Sequence, residues 1–199
     1  MPGALAGTAV LLLAAACDTG PVHPSRMVPG TVADPREVVI VARDYMFVPA
    51  VVDLVPGETV LFQLVNGGLV VHEAVIGPMS VQDAWEAAEA PTASAPPGPT
   101  AAVSVPPGLA GLRIVVGSGE RRDARWIVPD GAPADAGGWF VGCHIPGHWA
   151  QGMVVPVRFV DRNGAPLAST SPSPGAAPPS PGAPGTSPGD TLRTPARAG

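Results

Sequence analysis

The sequence predicts an all-β protein, a sandwich or barrel of seven or eight short strands with one inserted helix. Short apolar runs rich in β-branched residues are separated by turn signals, such as Pro56-Gly57 and Asn66-Gly67-Gly68. Only one segment between them has an apolar period typical of a helix. Many short strands joined by Pro and Gly turns are typical of β-sandwiches and β-barrels.

Eight segments have the length and composition of strands. The first four, at 37–43, 51–55, 59–65 and 70–76, precede the helix, and the segment at 51–55 is a short edge strand. The other four follow it, at 112–116, 124–128, 138–143 and 154–160. The order of these segments, strands on both sides of one helix, indicates a single β domain with an insertion.

The helix is predicted over residues 81–90. Its apolar residues recur at positions i, i+3, i+4 and i+7, which places them on one face: Val81, Ala84, Trp85 and Ala88. Ser80 and Asp83 resemble a capping box, and Pro91 ends the segment. We expect the helix to pack on one flank of the sandwich without chemistry of its own. Its acidic residues are expected to form a solvated face: Asp83, Glu86 and Glu89.

The chain divides into four parts. Residues 1–16 are an uncharged apolar run before Cys17, too short for a membrane span of about 20 residues. They predict a secretory signal peptide that ends in a bacterial lipobox, with Cys17 lipidated. The alternative is a plain signal peptide, with Cys17 incidental. A linker over 17–35, a folded domain over 36–163 and a disordered Pro-, Ala-, Gly- and Ser-rich tail over 164–199 follow.

Charge and cysteine content limit the partners and the chemistry. The net charge is −5, which argues against nucleic acid as a partner. The chain has two cysteines, so if Cys17 carries lipid no disulfide can form within the chain and Cys143 is left alone. A lone thiol outside the cytoplasm is exposed to oxidation unless something occupies it. A metal is the expected occupant.

The stretch GCHIPGHWAQGM, residues 142–153, contains the residues that could hold this metal. Cys143, His148 and Met153 are spaced five apart, on a strand end, a loop and the start of the next strand. A thiolate, an imidazole and a thioether together select copper over hard cations. A trigonal copper site needs a second imidazole. His23 lies in the linker and His144 points to the opposite side of the strand, so elimination leaves His72.

Two stretches of the sequence resemble the cupredoxins, the small blue-copper proteins. They are ARDYMFVPAVVDLVPGETVLFQLVNGGLVVHEAVIG and WFVGCHIPGHWAQGMVVPVRFV. The Cys-x4-His-x4-Met loop is similar to that of the rusticyanins and sulfocyanins. The resemblance implies a Greek-key β-sandwich in which His72, Cys143 and His148 are equatorial copper ligands and Met153 is the axial ligand.

These observations predict a monomeric, lipid-anchored electron-transfer protein on the extracytoplasmic face of a membrane. It would exchange electrons with redox proteins and would not be an enzyme. Gly142 and the total of four histidines argue against a multicopper oxidase or a copper nitrite reductase. Copper trafficking or storage is the alternative function, and an enzyme accessory domain is a further one. We expect His144 to be a surface or structural residue.

The surface near the copper ligands has its own predictions. We expect the ring edge of His148 to reach the surface through an apolar patch that includes Leu69 and suits brief docking. Trp149 is either part of this patch or ordinary core. Glu73 is expected to face away from the metal.

Overall fold

A computed structural model describes residues 26–94, 102–132 and 137–167 of the chain. Nine strands lie in these ranges: β1 (Arg36–Arg43), β2 (Met46–Val48), β3 (Val52–Leu54), β4 (Thr59–Asn66), β5 (His72–Pro78), β6 (Leu112–Val116), β7 (Arg121–Ile127), β8 (Trp139–Gly142) and β9 (Val154–Phe159). The predicted signal peptide, Cys17, His23 and nearly all of the predicted tail lie outside the described residues.

The strands form two sheets. The first has the order β2-β1-β4-β7, and the second has the order β3-β9-β8-β5-β6. The pairs β1–β4 and β3–β9 are parallel, and the other pairs are antiparallel. Strands that follow one another in the chain repeatedly change sheets, as Greek-key connections require. The predicted β-sandwich is therefore confirmed.

The core lies between the two sheets because each strand turns alternate side chains inward. In β1, Val38, Ile40 and Ala42 are buried in the core, whereas Val39 between them is exposed. Phe62 and Leu64 of β4 oppose them from the neighbouring strand and are also fully buried. Removing a buried side chain such as that of Phe62 costs about 3–5 kcal/mol, since a cavity is added to the lost transfer free energy.

Seven or eight strands were predicted, whereas the described residues contain nine, and the additional strand is β2. Strand β2 has three residues and pairs only with the end of β1, from Val41↔Val48 to Arg43↔Met46. Its sequence, Met46-Phe47-Val48, gives too few residues to show an alternating pattern. It forms because the turn after β1 returns the chain along the same edge, where Phe47 enters the core.

Helix α1 runs over Met79–Glu89 and covers the outer face of the second sheet. Val81 and Trp85 pack on Val75 of β5, so that β5 is buried on both faces. The predicted capping box is wrong: the helix begins two residues earlier, after Pro78, and no side chain caps it. The predicted solvated acidic face is also wrong in part, since Glu89 is buried.

Both ends of the described chain are held against the sandwich. The amide of Met27 donates to the carbonyl of Arg162 at 3.1 Å, and Thr59 donates to the carbonyl of Gly30 at 3.0 Å. Leu167 donates to the carbonyl of Phe159 at 2.9 Å and packs on the core. Among the described residues, no helix is long and apolar enough to cross a membrane.

Candidate metal centre

Three of the four predicted ligands converge at one end of the second sheet. One ligand atom of each of His72, Cys143 and His148 lies within 4.8 Å of the other two. The Sγ atom of Cys143 is 3.2 Å from Nδ1 of His148, and the two imidazole rings are 5.1 Å apart between centroids. All three side chains are buried. The structure thus brings together the residues that the spacing and elimination arguments predicted.

Strand pairing explains why residues so distant in sequence meet. Strand β5 pairs with β8 in the register Val75↔Gly142, so His72 and Cys143 are at the same end of adjacent strands. Strand β8 pairs with β9 in the register Gly142↔Val154. The positions of His72 and Cys143 are therefore set by strand pairing, and the same sheet holds together the two ends of the loop that carries His148.

The loop between β8 and β9 presents His148 through a tight turn. The amide of His148 donates to the carbonyl of Ile145 at 2.9 Å. Gly147 and Gly152 have φ angles of 89° and 90°, which side chains with a Cβ rarely adopt. These two glycines let the chain reverse twice, so that the imidazole between them is directed back toward Cys143.

Met153 lies beside the cluster. Its side chain is fully buried, its carbonyl accepts a hydrogen bond from the amide of Cys143 at 3.1 Å, and its own amide donates to the carbonyl of His148 at 3.1 Å. The backbone of Met153 thus joins the two loop ligands. Its role as the weak axial ligand stays a prediction.

His72 has one ring nitrogen paired and one free. Its Nε2 lies 2.7 Å from Oδ1 of Asp44, and a carboxylate can only accept, so Nε2 carries the proton. The other nitrogen, Nδ1, is the one buried side-chain nitrogen or oxygen within the described ranges that has no hydrogen-bond partner. An unpaired buried polar atom costs about 1–3 kcal/mol, so it needs an occupant, and a bare imidazole nitrogen is a metal ligand.

Burial favours the neutral forms of Cys143 and His148. It raises the pKa of the Cys143 thiol to about 12, and the charge of Glu73 adds to this effect. It lowers the pKa of His148 to about 4, and the neighbouring His72 adds to that effect. The Cys143 thiol can therefore donate its proton to the bare Nδ1 of His148 as a hydrogen bond. A cation that enters the cluster must displace the thiol proton.

The donor set fits copper. Two imidazoles and one thiolate in a buried, compact group are the equatorial ligands of blue-copper electron-transfer sites. Hard cations such as Mg²⁺ and Ca²⁺ need several oxygen ligands. None of the three clustered residues supplies an oxygen.

His144 follows Cys143 in sequence but joins the sheet to helix α1 and does not face the cluster. Its side chain is buried on the opposite face of the strand, as the strand geometry predicted. Its Nε2 lies 2.8 Å from Oε1 of Gln82, and its Nδ1 lies 2.9 Å from Oε2 of Glu86. Its ring stacks on Trp149 with centroids 4.9 Å apart. Both ring nitrogens are occupied, so His144 has no free donor atom for a metal.

A buried ionic network extends from His144 under helix α1. Oε1 of Glu73 accepts a hydrogen bond from the amide of His144 at 3.0 Å, and its Oε2 accepts from Nε of Arg113 at 2.6 Å. Arg113 also donates to Glu89 at 2.7 Å and lies 4.5 Å above the ring of Trp85. Glu73 does face away from the cluster, as predicted. Glu89 was expected on a solvated face of the helix, and its bond to Arg113 accounts for its burial instead.

Two roles were predicted for Trp149, a place in an exposed patch or ordinary core packing. Its side chain is buried against His144, so it has the second role. A Cβ at position 142 would lie 2.5 Å from Oε1 of Gln82 and 2.5 Å from the indole of Trp149, so a larger residue there would have to displace one of these side chains.

Asp44 and Tyr45 border the cluster but were not predicted to act there. The ring of Tyr45 contacts both imidazoles, with its centroid 4.7 Å from that of His148 and 6.2 Å from that of His72. Both residues lie in the turn between β1 and β2, on the other sheet. No local pattern in the sequence indicates that this turn reaches the end of β5.

Comparisons with known proteins found similar solved structures but no family. No protein family model matches the sequence, and no curated protein matches it. Among solved structures, auracyanin B is 21% identical, with 70% of this chain and 96% of that chain covered and a TM-score of 0.47. An azurin from Methylomonas sp. strain J is 14% identical, with 63% and 98% covered and a TM-score of 0.47.

A third similar structure is auracyanin A, a "blue" copper protein from Chloroflexus aurantiacus. It is 16% identical, with 63% of this chain and 99% of that chain covered and a TM-score of 0.40. The fold of the present chain is defined by its own two sheets, and the candidate site is defined by its own clustered side chains. A two-sheet β-sandwich presents two histidines and a cysteine at one end, and this is the cupredoxin-like arrangement that the sequence predicted.

Proposed function

We propose that this chain is a copper-binding electron-transfer protein that works outside the cytoplasm. The observation that supports the proposal is the buried cluster of His72, Cys143 and His148, with the bare Nδ1 of His72 as the unpaired atom. Two imidazoles and one thiolate favour copper over hard cations such as Mg²⁺ and Ca²⁺. Electron transfer of this kind needs neither a substrate pocket nor an acid–base pair.

The residues of the chain supply a rigid set of donors. Copper, when bound, supplies a one-electron couple between Cu(I) and Cu(II). Cys143 is held by the carbonyl of Met153, His148 by the carbonyl of Ile145, and His72 by Asp44. Because each ligand is fixed by a hydrogen bond outside the cluster, the donors need to move little when the metal changes oxidation state. Small rearrangement favours fast electron exchange.

A visible spectrum of the full chain with Cu(II) tests the proposal. We expect intense thiolate-to-copper absorption toward the red end of the visible range. Cys143→Ala should abolish the absorption, and His72→Ala should alter it. Cu(II) that binds the chain without a thiolate absorption band would refute a blue-copper site.

Copper trafficking or storage is the alternative function, and burial of the ligands distinguishes it from electron transfer. A protein that delivers copper must release it readily, whereas His72 and Cys143 are fully buried and His148 is 7% exposed. We therefore expect slow transfer of Cu(I) to a competing chelator and rapid, reversible oxidation and reduction. Fast transfer to the chelator, with poor redox cycling, would favour trafficking.

The proposed location depends on Cys17, which follows the apolar run of residues 1–16. Acylation of Cys17 would anchor the protein, since each buried methylene contributes about 0.8 kcal/mol. The native protein should then partition with membranes, and Cys17→Ser should release it. Native protein that stays in the soluble fraction with an unmodified Cys17 would contradict the anchor.

The proposed partners are redox proteins that donate and accept single electrons. Leu69 is 87% exposed, and its amide is hydrogen bonded to Asp44, the residue that contacts His72. An apolar side chain in this position offers a small contact near a ligand without a large interface. Weak redox encounters bury less than about 1,200 Å², so a small contact is sufficient.

A further inference from the structure

The carboxylate of Asp44 is held between two elements at the edge of the cluster. Its Oδ1 lies 2.7 Å from Nε2 of His72, and its Oδ2 accepts a hydrogen bond from the amide of Leu69 at 2.8 Å. Asp44 comes from the turn between β1 and β2, whereas His72 begins β5 in the other sheet. A charged side chain thus crosses from one sheet to contact a candidate metal ligand of the other.

The turn before His72 is built to admit this contact. A Cβ at Gly68 would collide with Oδ1 of Asp44 and would lie 2.9 Å from Nε2 of His72. The amide of Gly68 donates to Oδ1 of Asn66 at 2.8 Å, and its carbonyl accepts from Ser118 at 2.7 Å. The backbone of Gly68 is therefore fixed over the Asp44–His72 pair, with no space for a side chain.

We propose that Asp44 is a positioning residue that acts through His72, fixing its tautomer and lowering the reduction potential of the metal. This inference rests on the proposed copper function. The carboxylate accepts the Nε2 proton and leaves Nδ1 as the donor to the metal. The imidazole gives up more electron density to Cu(II) than to Cu(I), and a carboxylate on its other nitrogen stabilises the resulting positive charge. The pair therefore favours Cu(II), as carboxylate–histidine pairs at metal sites strengthen the ligand.

Both partners of this contact are held in place. The backbone amide of Leu69 donates to Oδ2 of Asp44 at 2.8 Å, which leaves Oδ1 directed at His72. The His72 side chain is fully buried, so solvent does not compete for its Nε2. The geometry therefore directs the carboxylate to this one nitrogen.

The reduction potential of the copper-loaded full chain tests the proposal. Asp44→Asn keeps an oxygen acceptor for Nε2 but removes the charge. Loss of such a partner usually costs about 10- to 100-fold in metal affinity. We expect this loss to fall on Cu(II), so that the preference for Cu(II) over Cu(I) falls by the same factor. At 59 mV per tenfold change for one electron, the potential should rise by about 60–120 mV. The blue absorption should remain.

Asp123→Asn is the matched control, because it removes the same charge from an exposed carboxylate that pairs with Arg121. The control should leave the potential unchanged. If Asp44→Asn gives the same potential as the control, the tuning role is wrong. Asp44→Glu, which restores the charge with a longer side chain, should recover part of the shift.

A second pair of variants uses the turn. Gly68→Ala must displace Asp44 or His72, whereas Gly67→Ala meets no atom closer than 3.7 Å. We expect Gly68→Ala to raise the potential and Gly67→Ala to leave it unchanged. Equal potentials for the two variants would contradict the proposal.

Nitrogen NMR of the metal-free full chain gives a test that does not depend on copper. The wild-type His72 ring should show a protonated Nε2 and a bare Nδ1, and Asp44→Ala should disturb this tautomer. A protonated Nδ1 in the wild-type protein would overturn the inference. If the tautomer is as expected but no blue absorption forms with Cu(II), the proposed function fails and the Asp44–His72 pairing stands.

Discussion

The Sγ atom of Cys143 lies 3.2 Å from Nδ1 of His148 in the metal-free protein. The thiol donates and the imidazole accepts, because burial raises the pKa of Cys143 to about 12 and lowers that of His148 to about 4. Each shift favours the neutral form. The folded chain therefore opposes both ionisation of the thiol and protonation of the ring.

This pair predicts how the stability of the metal-free protein depends on pH. An unfolded histidine takes up a proton near pH 6.5 and an unfolded cysteine loses one near pH 8.5, by their ordinary pKa values. The free energy of unfolding should therefore fall below about pH 6.5, through the pKa of His148, and again above about pH 8.5, toward that of Cys143. Urea unfolding midpoints between pH 4 and pH 11 measure both effects.

The variant Cys143→Ala isolates the alkaline part of this pH dependence. It should reduce the loss of stability above pH 8.5 and leave the loss below pH 6.5 in place. If the two proteins lose stability equally at alkaline pH, the folded thiol is not protected from ionisation.

A second prediction concerns the axial ligand. Met153→Gln places a harder oxygen beside the cluster, which favours Cu(II), so the reduction potential should fall while the blue absorption remains. Met46→Gln is the matched control, because Met46 is 51% exposed on β2. Voltammetry of the two copper-loaded variants makes the comparison. An unchanged potential in Met153→Gln would show that Met153 is not a ligand.

A third prediction concerns the ionic network under α1. Arg113→Met leaves Glu73 and Glu89 buried without a positive partner, which costs about 3–5 kcal/mol when a buried ion pair is broken. Arg121→Met, in an exposed pair with Asp123, should change stability little. Urea unfolding of both variants gives the two free energies. Equal costs would mean that the network under the helix does not stabilise the fold.

A fourth prediction concerns the exposed side chain next to Asp44. Leu69→Glu puts a negative charge where two molecules of the protein would approach, so the rate of electron self-exchange should fall about tenfold or more at low salt. Ile127→Glu is the matched control. It adds the same charge at the end of β7 in the first sheet, where the side chain is 58% exposed. NMR line widths of mixtures of Cu(I) and Cu(II) protein report the rate. If both variants slow self-exchange equally, Leu69 has no special part in docking.

The sequence predicted the sandwich and three clustered ligands because their signals are local or scarce. Apolar runs rich in β-branched residues mark β1 and β9, and the spacing of Cys143 and His148 places both in one loop. With four histidines in the chain, elimination was enough to identify His72. The prediction that His72 of β5 lies near Cys143, at the end of β8, followed from the ligands that copper needs. No sequence pattern indicated that these two strands pair.

The residues around the cluster could not be predicted in the same way. Asp44 is 28 residues from His72, and Glu86 is 58 residues from His144. Each contact depends on how an element of one layer lies over another. A helix with a solvated acidic face and a helix whose acidic residues are buried in ion pairs can have the same sequence pattern. The burial of Glu89 could therefore not be predicted from the sequence.

Because β5 pairs directly with β8, the geometry of the ligands does not depend on the chain between these two strands. In the register Val75↔Gly142, the distance from His72 to Cys143 is set by two adjacent strands, whatever lies between them in sequence. Helix α1 belongs to that intervening stretch and rests on the outer face of β5. Insertions in the turns of this stretch can therefore be made without changing the register of β5 and β8. A fusion placed in one of these turns should have the least effect on the spectrum.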